Sequence, residues 1–337
     1  MAISIAVHRR RLQALVLAGL LAASPTPLFA DSDPDPEAHA QARGMLGSGL
    51  LLIPESTNDR VMAFDPSTGD LVDADFIPAD VVNLTTPINA ILNAGGDGFL
   101  VSDQSDDVIQ EYDLGGNFVG TFAPAGGVDN SILDAPRGIV LRPDGNLLVT
   151  VGSGANADSV AEFDAAGNFL GNFIANGAAG LTTPFDVSPR AGDYLVSGFN
   201  SGAVHRYNLN GSPLADLAPI DSSPEQIAAA AGGDVLVANF GGAQEGVVEL
   251  DAAGTVVGIY DPPSVSGYRG VYELPNGNIL TTDGNGVHEI DRLGNLVETK
   301  VSGVSARFIE LVVNPSLVFA DGFESGDVSR WSSAGGQ

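Results

Sequence analysis

Between about residues 45 and 315 the apolar residues come in short runs separated by turns rich in Gly, Asn and Asp. No segment there keeps the i, i+3, i+4, i+7 apolar spacing of an amphipathic helix, so the pattern predicts strands throughout. One line of positions pairs an aromatic or aliphatic residue with Asp or Asn: Phe64-Asp65, Tyr112-Asp113, Phe163-Asp164, Tyr207-Asn208, Leu250-Asp251 and Ile290-Asp291. It recurs every 40 to 51 residues and is followed each time by a glycine, as at Gly69, Gly167, Gly211 and Gly254. The Asp or Asn side chain caps such a turn, and glycine supplies the positive φ that the hairpin requires.

A second line precedes the first, with a glycine or acidic turn leading into a β run at 49–53, 97–101, 144–149, 192–196, 233–237 and 276–280. A third lies further upstream, usually a proline followed after two residues by an aliphatic, at Pro87, Pro136, Pro184 and Pro224, with Arg269 in the sixth unit. Each unit thus predicts four short strands in a meander, at the period of a propeller blade. The first unit begins at its second strand, and the run 306–313 is left over at the far end. Pairing the spare run beside 50–53 would close the ring and remove two sheet edges. The predicted fold is all-β, a six-bladed β-propeller over 45–315 whose ring is closed by a C-terminal strand joining the N-terminal blade.

The third unit carries a resemblance. Its stretches APRGIVLRPDGNLLVT at 135–150, SVAEFD at 159–164 and GNFL at 167–170 resemble an NHL repeat, and the other units follow the template more loosely. The resemblance implies a six-bladed propeller. It implies no reaction, because such propellers serve as scaffolds, ligand binders, hydrolases and lyases.

Outside the repeats, residues 1–30 read as a secretory signal: a basic start at His8 to Arg11, then twelve largely apolar residues from Leu12 to Ala23. A membrane-spanning helix needs about 20 such residues, so no integral span is expected after cleavage. Residues 31–44, acidic and Pro-rich, read as a solvated linker, and 316–337 as a flexible tail. The signal implies a secreted or periplasmic location, and the DGFESGD stretch from Asp321 to Asp327 resembles a tail of exported proteins in some Gram-negative bacteria.

Composition narrows the chemistry. The formal charge is −28, and it becomes −31 once the three arginines of the first thirty residues are removed. Such a surface repels phosphate backbones and anionic bilayers, so nucleic-acid binding is not expected. A monomer is expected. There is no cysteine, which excludes disulfides and thiolate chemistry. Of four histidines, His205 and His288 fall on third strands away from the channel, so neither a Ser/His/Asp triad nor a His-rich zinc site is expected.

Polar residues that do not repeat, at positions that otherwise do, mark where a site would sit. At the starts of innermost strands these are Asn89, Arg137, Asp186, Gln226, Arg269 and Arg307; at the ends of second strands, Glu55, Asp103, Asn239 and Asp283. Three readings compete. Glu55, Asp103, Asp186, Asn239 and Asp283 hold a hard cation such as Ca²⁺. Alternatively Arg137, Arg269 and Arg307, with Asn89 and Gln226, bind an anionic ligand. In the third, the arginines and carboxylates simply pair. The expected role is a non-catalytic scaffold that binds a small molecule, glycan or protein at the channel mouth. The rival is a divalent-metal-dependent hydrolase or lyase of the gluconolactonase type acting on a lactone or similar small substrate. Resemblance to that family is broken at two places: Pro54-Glu55-Ser56 stands where Glu-Gly-Pro would, and Pro275-Asn276-Gly277 falls in a turn pointing away from the mouth.

Overall fold

A computed structural model describes residues 35–317. The signal and the DGFESGD tail lie outside the described residues. Six four-stranded antiparallel sheets form six blades, five of them built from consecutive strands. The first blade runs outward through Leu50–Glu55, Arg60–Phe64 and Leu71–Ile77, and its innermost strand is Glu310–Val312 from the far end of the domain. Leu50 faces Val312, Leu51 faces Leu311 and Leu52 faces Glu310, the closure expected from the strand count. Blades 2 to 6 follow at 87–123, 136–174, 184–219, 224–260 and 271–302. Blade 4 has an outer strand of only two residues, Ala218–Pro219.

The second strands are buried on both faces because each blade is packed between two others. Leu50 and Leu52 enter one apolar cluster with Phe99 and Val101 of blade 2, while Leu51 and Ile53 enter another with Leu280 and Val287 of blade 6. Alternate side chains of a strand point to opposite faces, so the apolar runs of the sequence are two interleaved core faces. Burying each Leu, Ile or Val contributes roughly 1.5–3 kcal/mol.

The linker expectation for 31–44 needs correction. Pro36–Met45 is an α-helix: Asp35 caps it by accepting from the Glu37 amide (2.9 Å), with Pro36 in the first turn and Arg43 in the last. Ala42 and Leu46 are buried against Phe76, Phe99 and Tyr112, and the Arg43 guanidinium lies 3.8 Å from the Phe76 ring centroid. Burial pushes that guanidinium down to about 10, against the pull of Asp73 and Asp113.

The innermost strands explain how a site arises. In blades 2 to 5 the pairing slips immediately after the leading proline, between Pro87 and Asn89, Pro136 and Ile139, Pro184 and Val187, and Pro224 and Ile227. A bulge of this kind takes residues out of the ladder and re-aims their side chains. Arg137, Phe185-Asp186 and Glu225-Gln226 sit in these bulges.

Candidate functional site

The carboxylates at the second-strand ends do not converge. Glu55 is fully buried and accepts from the Thr57 and Asn58 amides (2.8 and 3.1 Å) and from Arg60 Nε (2.7 Å). Asp103 accepts from four backbone amides, those of Thr85, Thr86, Ser105 and Asp106 (2.5–3.1 Å). Burial raises its pKa in spite of those bonds. Asp283 accepts from the Asn285 and Gly286 amides (2.7 and 2.8 Å) and meets His288 Nε2 at 3.1 Å. Burial works against its ionisation, but the His288 contact and the amides hold its pKa below the usual value. Asn239 donates to the Asp221, Gly241 and Gln244 carbonyls. These side chains staple the loops that join second and third strands. Among the described residues no group of three His, Asp or Glu side chains gathers to hold a metal ion. The five residues expected from the sequence as calcium ligands are spread over separate loops and strands, and their carboxylates form no such group.

The arginines do come together, in the mouth formed by the bulged strand starts. Arg137, Arg269 and Arg307 all act electrostatically on Glu225, yet their guanidinium groups find other partners. Arg137 donates to the Pro184 carbonyl (3.4 Å) and lies 4.1 Å from the Phe185 ring centroid. A Cβ at Gly152 would overlap its guanidinium, so the missing side chain makes the cradle. Arg269 donates to Ser305 Oγ (2.7 Å) and Arg307 to Ser56 Oγ (2.8 Å). The Nε atoms of Arg137 and Arg269 are buried without a partner. Burial pushes Arg137 down to about 10 and, together with the charge of Arg269, pushes Arg307 to about 10. Burial raises Glu225 to about 7 in spite of all three cations. Three cations thus share one weak acid, and the pairing predicted by the third sequence reading is incomplete.

Aromatic rings border this mouth. Phe185 stacks on Phe199 (4.7 Å between centroids, 24° between planes), and Phe199 lies 6.3 Å from Phe240. A cavity of about 430 Å³ opens here between Phe240, Ser266, Arg269 and Asn285, with Glu245 on its wall.

Deeper in the channel is a second polar group that the sequence reading only half anticipated. Asn89 and Gln226 both donate to Glu310 Oε1 (3.3 and 3.2 Å). Gln226 is not free for a ligand: its Oε1 accepts from the Val271 and Ile309 amides (both 2.9 Å) and its Nε2 donates to the Ile309 carbonyl (2.8 Å). Asn89 Oδ1 is buried and unpartnered. Asp186 accepts from the Val187 and Ile227 amides (both 2.8 Å). Burial raises Asp186 to about 7, and burial with the charge of Asp186 raises Glu310 to about 8. These acids face a cavity of about 550 Å³ walled by Leu141, Val187, Tyr272 and Leu311. Glu310 lay inside the predicted closing run, and its acidic position beside apolar residues was the available signal.

The histidines lie on third strands as expected, within Ala203–Asn208 and Gly286–Ile290. His205, however, bridges Ser201 and Asp216 (2.8 and 2.9 Å), so the expectation that no Ser/His/Asp chain is assembled does not hold. The hairpin supplies the serine and the chain beyond the third strand supplies the acid, a juxtaposition that sequence spacing does not display.

No protein-family model matches the chain, and no curated protein matches it in sequence. Solved structures share its architecture. A structure described as a nidogen/laminin complex matches at a TM-score of 0.62 and 15% identity, covering 79% of this chain and 99% of that one. A putative gluconolactonase matches at 0.53 and 15% identity, covering 84% and 89%. A streptogramin B lyase matches at 0.52 and 14% identity, covering 80% and 92%. At these identities the likeness is one of fold alone: the chain is a six-bladed β-propeller.

Proposed function

We propose that the propeller binds a small anionic molecule at its channel mouth, with Arg137, Arg269 and Arg307 holding the anion. The rings of Phe185, Phe199 and Phe240 receive the adjoining apolar part. The observation that carries this is the sharing of one raised-pKa carboxyl, Glu225, among one buried arginine, Arg137, and two half-buried ones, Arg269 and Arg307; Arg137 and Arg269 each have an orphaned Nε. An incoming carboxylate or phosphate offsets the desolvation of those cations and supplies the missing acceptors. The binding class is that of an organic acid with an apolar or ring-shaped body, the small-molecule branch of the scaffold reading.

Thermal unfolding with benzoate and with inorganic phosphate tests the proposal. A ligand at about ten times its Kd stabilises by about 1.4 kcal/mol, a readable rise in Tm. Benzoate is expected to raise Tm more than phosphate does, and Arg269→Ala is expected to abolish both effects. No anion-dependent rise, or an unchanged rise in Arg269→Ala, refutes the proposal.

A further inference from the structure

On blade 4, Ser201 in the hairpin after the second strand sits beside His205 of the third strand, with Oγ 2.8 Å from Nε2. His205 Nδ1 lies 2.9 Å from Asp216 Oδ1. An ionised carboxylate only accepts, so Asp216 places the imidazole proton on Nδ1 and leaves Nε2 to take the Ser201 hydroxyl proton. The His205 ring is buried, while Ser201 is half-buried and Asp216 is exposed at the surface. The Thr182 amide donates to Ser201 Oγ at 3.3 Å.

Blade 6 offers an internal comparison. His288 faces Thr281 as His205 faces Val196, the same register in both blades. In blade 6 the partner of Nε2 is the Asp283 carboxylate at the end of the second strand. In blade 4 that position is Gly198, where a Cβ would overlap Ser201 Oγ. Blade 4 therefore replaces an anion that merely fixes the ring with a hydroxyl that the ring can deprotonate. Two residues before Ser201 in the same connection, the Phe199 ring stacks on Phe185 at the mouth.

We propose that Ser201, His205 and Asp216 form a hydrolytic triad for carboxylic esters, at the rim of the channel mouth. Ser201 Oγ bonds to the ester carbonyl carbon while its proton passes to His205 Nε2, and the carbonyl π pair moves onto oxygen within reach of the Thr182 amide. Collapse breaks the ester C–O bond, and the leaving alkoxide takes the proton from Nε2. Water then repeats the sequence on acyl-Ser201, releasing the acid and restoring the hydroxyl. Asp216 is a positioning residue. The triad adjoins the Phe185–Phe199 wall of the anion site but uses neither its arginines nor Glu225, so each can fail without the other.

The full chain is treated with a fluorophosphonate probe and assayed with p-nitrophenyl acetate. The covalent adduct is expected on Ser201, and Ser201→Ala is expected to remove the adduct and lower turnover by about 100-fold or more. Asp216→Asn, an exposed change, is expected to lower kcat at least about tenfold with little change in KM, because the amide no longer fixes the productive tautomer. His288→Gln should leave turnover unchanged. An unlabelled wild-type Ser201, or undiminished turnover in Ser201→Ala, overturns the proposal. Ser201→Ala removes one oxygen from a turn, and its Tm shift with benzoate reports both its folding and the separate anion site.

Discussion

The glycine that follows each Asp or Asn of the outer hairpins has two jobs, and only one is local. Gly116, Gly167, Gly211 and Gly254 all have φ between 74° and 87°, the region where a Cβ is strained. A Cβ at Gly167 would also overlap the Phe122 carbonyl oxygen of the preceding blade, as one at Gly211 would overlap Phe173 and one at Gly254 would overlap Leu217. The hairpin tips of blades 2 to 5 are thus fitted against the outer backbone of the preceding blade. Gly277 has a similar φ of 87° but open space around its Cβ position. Gly277→Ala should therefore cost only the left-handed strain, about 1 kcal/mol. Gly167→Ala should cost about 3 kcal/mol, because the blades must also part. Urea unfolding at constant m distinguishes the two. The turn conformation was legible in the sequence because Asp164 and Gly167 are near neighbours. The contact with Phe122 was not, because it depends on how two blades meet. The same division runs through the candidate site. Arg137, Arg269 and Arg307 were recognisable as charges that the repeat does not need. Glu225 stands at the same strand-start position as the arginines in the sequence, but that all three share it, and that Ser201, His205 and Asp216 meet, depends on register and bulges.

At the scale of the element, the closing strand shows how counting strands can succeed where composition fails. Glu310–Val312 was predictable because the first unit lacks an innermost strand and one run is spare. The helix Pro36–Met45 was missed because its acidic, Pro-rich surroundings match a linker. Its start signal, Asp35 before Pro36 and Glu37, is present, but Ala42 and Leu46 form an anchor only once Phe76, Phe99 and Tyr112 are assembled. Gln226 was read as a ligand contact and is instead a clamp on the closure. Its amide serves Ile309 on the closing run and Val271 on blade 6, joining strands far apart in the chain. Gln226→Ala would strand the buried Val271 and Ile309 N–H groups and the Ile309 carbonyl. Each such loss costs about 1–3 kcal/mol, so a total near 3 kcal/mol is expected. Denaturant unfolding measures it. Loss below about 0.5 kcal/mol would mean that water replaces the amide, contrary to the clamp.

For the whole molecule, pH acts on two opposed sets of acids. At the surface, Asp113, Asp164, Asp251 and Asp291 are held below their usual pKa, chiefly by bonds from nearby side chains and amides in the hairpin tips. Their contribution to stability is present above the unfolded-state value and is lost as pH falls through the folded one. In the channel, burial raises Asp186 and Glu225 to about 7 and Glu310 to about 8. The folded chain therefore holds protons there that the unfolded chain releases near pH 4, and that stabilisation is lost as pH rises through 7 and 8. Each proton so held adds a slope of about 1.4 kcal/mol per pH unit. The net charge of −28 at pH 7 acts in the same direction, since self-repulsion grows as acids ionise. Stability should accordingly peak near pH 4, where the unfolded chain begins to release these protons, and decline toward pH 8, and Glu310→Gln should flatten the upper part of that decline by removing one titrating group. Anion binding shares the sign. Glu225 faces Arg137, Arg269 and Arg307, with Asp134 acting on Arg137 from outside, and protonating Glu225 below about 7 removes the one carboxyl that all three arginines share. Benzoate should thus bind more tightly at pH 5.5 than at pH 8, by several-fold, and Glu225→Gln should bring the pH 8 affinity close to the acidic one. Calorimetric titration of both proteins at the two pH values decides the matter. Equal affinities in the wild type would show that Glu225 does not compete with the ligand for the arginines.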